Sequence, residues 1–162
     1  MVVPLVATLG SAVHQLLALI FTSFTKGSDM NIALSTTLTD TDFDTAVDKT
    51  RAALADQGFG VLTEIDMQAT LKAKLDADME RYLILGACNP PLAHRAVGIM
   101  KQIGLLLPCN VIVREDTENA GSVIVEAMNP AIMVEVTGEP DMKSVADEAT
   151  TKLTAAIEAL AR

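Results

Sequence analysis

Residues 110 to 128 read NVIVREDTENAGSVIVEAM, and this stretch decides the fold. Its two runs of Val and Ile, Asn110–Glu115 and Ser122–Met128, are typical of β-strands. The residues between them, Asp116–Gly121, are polar and turn-forming. Because so short a connection joins neighbouring antiparallel strands, the sequence predicts a β-hairpin here.

Five elements are predicted upstream of this hairpin from apolar spacing and turn residues. They are a strand over 32–38, a helix that starts at 43 and ends at Gly58, a strand over 59–66, a short helix over 68–75 and a strand over 82–87. The last of these strands is almost wholly apolar, so we expect it to be covered on both faces. The helix from 43 is amphipathic, which predicts that one side of it packs on the sheet.

Three elements complete the prediction. Asn89 and Pro90 are favoured residues for a helix start, and the apolar stripe of that helix predicts that it continues to Gly104. The stretch 130–136 suits either a strand or a short helix, of which we favour the helix. A final amphipathic helix follows Pro140.

The order of these elements predicts an α+β fold, in which a single largely antiparallel sheet packs against amphipathic helices on one face. The opposite face would then be free of helices. Because its strands are apolar, we expect a second copy of the chain to cover it. The sequence therefore predicts a homodimer.

Composition limits the classes of function. The chain of 162 residues has a net charge of −9 and only 3% aromatic residues, so a phosphate backbone would be repelled and few side chains could stack on bases. We therefore expect no nucleic-acid partner. The two cysteines are too few for a disulfide-stabilised secreted scaffold, which favours reduced thiols and a cytoplasmic location.

Residues 1–29 differ from the rest, since Met1–Thr25 contains no charged side chain. We favour an upstream extension of a domain that starts at Met30 and covers 30–162. The apolar run 16–21 also suits a membrane anchor or export signal, although Lys26 follows it rather than preceding it. An ordered amphipathic helix is the third interpretation, and a membrane partner is expected only if this segment is an anchor.

Two short motifs form the candidate site. Its residues are Gly86, Cys88, Asn89, Pro90, His94, Pro108, Cys109 and Asn110. Cys88 is predicted at the end of a strand, just before a helix N-terminus, where unpaired amides favour a thiolate. His94, in the same helix, could approach it.

The simplest interpretation of these motifs is structural, because cysteine is commonly a small core residue and Asn-Pro is explained as a helix cap. No cofactor is predicted. A transition metal held by Cys88, His94 and Cys109, or a thiol-reactive site, stays open as an alternative, although neither Cys-x-x-Cys nor a paired-His spacing is present. Dinucleotide, Walker and Gly-x-Ser-x-Gly signatures are also missing from the sequence.

Four motifs in order resemble one bacterial and archaeal family. They are Phe43–Val47, Gly58–Asp66, Leu85–Pro90 and Leu106–Val111. The chain is similar to the family called domain of unknown function 302 from about Leu34 to Leu160. The resemblance implies an α+β fold with an antiparallel sheet and a homodimeric association. It assigns no activity and no catalytic role to the cysteine motifs.

The function expected from the sequence is that of a non-enzymatic homodimeric module that binds a small ligand or a protein partner. Thiol or metal chemistry at Cys88, with Cys109 and His94 as helpers, is the first alternative. An enzyme whose pocket forms only at the dimer interface is the second.

Overall fold

A five-stranded antiparallel sheet forms the centre of the computed structural model, which describes residues 31–161. Its strands are β1 (Ala33–Thr39), β2 (Gly60–Asp66), β3 (Tyr82–Cys88), β4 (Cys109–Glu115) and β5 (Ser122–Met128). They lie in the order β1-β5-β4-β3-β2, and every neighbouring pair is antiparallel. The predicted hairpin is the β4–β5 pair, and the predicted α+β fold is confirmed.

Five α-helices and two 3-10 segments accompany the sheet in the described part of the chain. They are α1 (Phe43–Asp56), α2 (Met67–Leu75), α3 (Pro90–Ile99), α4 (Ala131–Thr137), α5 (Lys143–Leu160) and the 3-10 turns Lys101–Leu106 and Pro140–Met142. The helical interpretation of 130–136 is thus confirmed. None of the helices found between residues 31 and 161 combines the length and the apolar character that crossing a membrane requires. The interpretations of residues 1–29 lie outside the described residues.

The prediction of one helix from Pro90 to Gly104 was wrong. The backbone of Met100 is extended, with φ −140° and ψ 118°, so α3 ends at Ile99 and a 3-10 turn follows. Ile103 is nevertheless fully buried, at 1% exposure. The apolar spacing thus predicted the burial of Ile103 correctly. The chain changes direction at Met100, however, and buries Ile103 without a continuous helix.

The inner face of the sheet carries the main core. Alternate residues of β3, β4 and β5 are buried there against α1 and α5. The sheet members are Leu38 of β1 together with Leu83, Leu85, Ala87, Cys109, Val111, Val113, Val123, Val125 and Ala127. A second apolar cluster joins α3, α4 and α5, with Leu92, Ala96, Met133 and Val145 among its members. Both clusters are mainly aliphatic, as the low aromatic content requires.

The residues between these positions point the other way, because side chains alternate along a strand. We call this set the outer face. It consists of Ala33, Ser35, Thr37, Thr39, Thr63, Ile65, Tyr82, Ile84, Gly86, Asn110, Ile112, Arg114, Ser122, Ile124, Glu126 and Met128. Apart from Gly86, these residues keep part of their surface exposed in the single chain. The covering of this face by a second copy stays a prediction.

Candidate functional site

Asn89 connects three elements at the end of β3. Its side-chain oxygen accepts a hydrogen bond from the Leu92 amide at 3.3 Å, and its Nδ2 donates to the Gln57 carbonyl at 3.4 Å. Asn89 is only 9% exposed, and Pro90 follows at the start of α3. Because a buried amide needs partners, this Asn closes the start of α3 and ties it to the end of α1.

Gly86 lies where β2, β3 and the entry to β4 approach closely. A Cβ atom at this position would lie 2.1 Å from Thr63 Oγ1 and 2.8 Å from Pro108 Cγ. Any side chain would therefore clash with two neighbouring segments. The β-bulge between Val61 and Thr63 sets the position of Thr63 over this glycine.

The two cysteines meet at an apolar cavity of about 20 Å³ between the sheet and α3, α4 and α5. Cys109 is buried opposite Ala87, whereas Cys88 is half-buried at the end of β3, and both are free thiols. Burial, with a smaller contribution from nearby Cys88, raises the pKa of the Cys109 thiol to about 11. Cys109 is therefore a protonated core thiol at neutral pH, which makes it a poor nucleophile and a poor metal ligand.

The other candidate residues lie elsewhere. His94 is on the exposed side of α3 and does not line the cavity, and Asn110 is exposed on the outer face. Within residues 31–161, no three Cys, His, Asp or Glu side chains come close enough to hold one metal ion. The structure thus brings together Cys88, Asn89 and Cys109 but does not assemble Cys88, His94 and Cys109 as one ligand set.

An acidic cleft of about 470 Å³ lies at the opposite end of the strands, and it was not predicted from the sequence. Arg81 is in its wall, pairs with Asp44 at 2.6 Å and lies 4.2 Å above the Phe43 ring. The hydrogen bond from Arg81 lowers the pKa of Asp44. Because the partners are far apart in sequence, no local pattern could have indicated this contact.

A shallow groove of about 450 Å³ runs along the outer face near the start of β1. Ile112, Met128 and Ile132 supply its apolar walls, and Asn110 and Glu126 supply polar groups. Its volume is in the range of small-ligand sites. The sequence predicts this face but not a groove along it.

Comparison with known proteins agrees with this architecture. Residues 34–160 match the family described as domain of unknown function DUF302. That match spans well over half of the chain, and the chain belongs to this family. No curated protein matches the sequence.

A solved structure has the same fold. It is the crystal structure of an uncharacterized conserved DUF302 protein from Bacillus stearothermophilus, with a TM-score of 0.68 and 25% sequence identity. The similarity covers 76% of this chain and 95% of that one. The predicted family is therefore confirmed, and it assigns no function.

Proposed function

We propose that residues 31–161 form a non-enzymatic, homodimeric binding module whose outer face packs against the same face of a second copy. The observation that carries this proposal is a row of isoleucines across the sheet. Ile65 pairs with Ile84, and Ile84 pairs with Ile112, on three adjacent strands. Removing such a continuous apolar row from water stabilises an association.

The size of the face supports the same proposal. Five strands about 4.8 Å apart, each seven residues long with a rise of about 3.4 Å, give a flat footprint of roughly 24 by 24 Å. This footprint is of the same order as the ~800 Å² of accessible surface that each partner buries in a standard interface. The outer face is thus large enough for a stable dimer.

Charge also favours a second copy as the partner. The whole chain carries −9, so two copies repel each other across most of their surface. Among the described residues of the outer face, however, only Arg114 and Glu126 are charged, and they neutralise each other. Two acidic chains can therefore meet here with little net repulsion.

The groove on this face gives the module a place for a ligand. Its walls combine apolar side chains with the Asn110 amide and the Glu126 carboxylate, so it suits a small, mainly apolar molecule with one polar end. In the proposed dimer the partner subunit would close the groove. The same arrangement would create the interface pocket that the enzymatic alternative requires.

The dimer is tested by sedimentation velocity and light scattering of the full chain at micromolar concentration. We expect twice the chain mass of 17.1 kDa. Ile112→Lys places a charge on the central strand β4, at the end of the isoleucine row and opposite Glu126, and should convert the protein to monomer while the fold is retained. Far-UV circular dichroism checks the fold.

Leu105→Lys is the matched control. Leu105 is 87% exposed in the 3-10 turn after α3 and is not part of the outer face, so this variant should remain dimeric. A wild-type chain that stays monomeric at these concentrations would refute the proposal. So would an Ile112→Lys variant that dimerises like the wild type.

Thiol chemistry at Cys88 is a second candidate function, favoured by the position of this half-buried free thiol directly before α3. It is the weaker one because Cys109 is a protonated core thiol and His94 lies on another surface. Alkylation of Cys88 as a function of pH, with metal analysis of untagged protein, tests it. An unreactive, metal-free Cys88 at neutral pH would eliminate this alternative.

A further inference from the structure

We infer that, in the proposed dimer, Arg114 and Glu126 of each subunit also form ion pairs with Glu126 and Arg114 of the partner subunit. These pairs between subunits determine which chains associate. This inference rests on the proposed outer-face dimer. It adds the residues that select the partner and the direction in which the two faces meet. The partner it specifies is a second chain with Arg at 114 and Glu at 126.

The pair joins β4 and β5, two interior strands of the sheet. Arg114 Nε donates to Glu126 Oε2 at 3.1 Å, and the two side chains keep only 27% and 25% of their surface exposed. Arg114 pairs with Ile124 across the strands, and Glu126 pairs with Ile112. The four residues therefore form a block in which the charges occupy one diagonal and the isoleucines the other.

This block is complementary to itself. Consider a two-fold axis that lies midway between the two sheets, parallel to the line from Ile112 to Ile124. A rotation of 180° about this axis brings Arg114 of one subunit over the position of Glu126 in the other. It places Arg114 opposite Glu126 of the partner subunit, and Glu126 opposite the partner's Arg114. The isoleucines then meet their own counterparts, as an isologous interface requires.

The chemistry of the pair suits this exchange. Within residues 31–161, Glu126 is the sole carboxylate that forms an ion pair with Arg114, and the hydrogen bond uses Nε. The guanidinium has further N–H donors in a fixed plane. In the dimer these donors can reach a second carboxylate, so four alternating charges form a closed ring. An arrangement that places like charges of the two dry faces opposite each other is strongly disfavoured.

The test mixes the wild type with a double swap, Arg114→Glu with Glu126→Arg. The swap keeps both charges, the intrachain pair and the neutrality of the face, so it should fold and form homodimers. In a mixed dimer, however, Arg would face Arg and Glu would face Glu. We expect native mass spectrometry after equilibration to show mixed dimers at less than about one tenth of the total, instead of the one half given by random pairing.

The pair formed by Arg95 and Glu148 supplies a matched control. It joins α3 to α5 away from the outer face, with side chains 44% and 45% exposed. The swap Arg95→Glu with Glu148→Arg should mix randomly with the wild type. If the Arg114/Glu126 double swap does not fold, Arg114→Glu and Glu126→Arg are made separately. Each should dimerise at least about tenfold more weakly than the wild type, and an equimolar mixture should restore dimers.

The outcomes separate the two proposals. Random mixing of the wild type with the double swap, or single reversals that dimerise like the wild type, would overturn the exchange while leaving the dimer intact. A monomeric wild type would instead remove the proposed dimer itself. Self-sorting of the double swap, with random mixing of the control swap, supports the exchange.

Discussion

The two faces of one sheet differ sharply, although they share the same strands. The inner-face residues of β3, β4 and β5 named above are buried and apolar, and they contact α1 and α5. The outer face keeps part of its surface exposed and carries one ion pair, between β4 and β5. A single alternation of side chains thus gives one face that stabilises the chain and another that is suited to association.

Neighbouring residues of β3 give the largest expected contrast between the faces. Leu85 is fully buried on the inner face, and Ile84 is half-buried on the outer face. We expect Leu85→Ala to lower the free energy of unfolding by about 2–5 kcal/mol, because it opens a cavity. Ile84→Ala should cost only about 1 kcal/mol, because its environment stays partly aqueous.

Chemical denaturation at a concentration where both variants are monomeric by sedimentation measures these losses. Dimer affinity should show the reverse order, with Ile84→Ala weakening association more than Leu85→Ala. Equal losses of folding stability at the two positions would mean that the outer face is already covered within the chain.

Alkaline pH provides a second contrast, through the inner-face thiol. The pKa of Cys109 rises from an ordinary value of 9.0 to about 11. Between these values the unfolded chain loses its thiol proton while the folded chain keeps it, so stability falls as pH rises. Unfolding free energies measured from pH 9 to 11 should drop by about 2 kcal/mol from this residue alone.

Cys109→Ala is the control, because it removes the titration and should reduce the slope of stability against pH by that amount. Identical slopes for the variant and the wild type would show that the thiol is hydrated in the folded protein.

Gly86 is the exception on the outer face, since it is buried there, and it gives the smallest of these effects. Gly86→Ala should destabilise the chain by about 1–3 kcal/mol, because the new methyl group would overlap Thr63 and Pro108. At Gly98, in α3, an added Cβ would meet no atom within 4 Å. Gly98→Ala should therefore gain up to about 1 kcal/mol of helix stability.

Thermal and denaturant unfolding of both glycine variants measure the difference. Thr63→Ala in the Gly86→Ala background should recover part of the loss. A Gly86→Ala variant as stable as the wild type would show that β2 moves away easily, and that the close approach does not constrain the motif.

Most of the fold could be predicted from local pattern. The hairpin followed from two runs of β-branched residues, and the start of α3 followed from Asn89 and Pro90. The helix break at Met100 could not be predicted, since burial of Ile103 is compatible with either path. Such a change of direction depends on how distant elements pack.

The candidate site was predicted only in part. Cys88 and Asn89 were placed correctly, at a strand end and a helix start. His94 lies two residues after Leu92, so the helical period itself places it away from the buried stripe of Leu92 and Ala96. The second hydrogen bond of Asn89 and the clash that requires Gly86 join segments far apart in sequence, and local pattern contains no information about them.

The pairing of β1 with β5 has a consequence for biosynthesis. Ala33 lies opposite Met128, so β1 has no partner until β5, much later in the chain, has left the ribosome. Pairing across so long a chain is slow. The sequence of β1, ALSTTLT, is rich in Ser and Thr. This polarity suits a strand that must stay in water without aggregating while the remaining strands are synthesised.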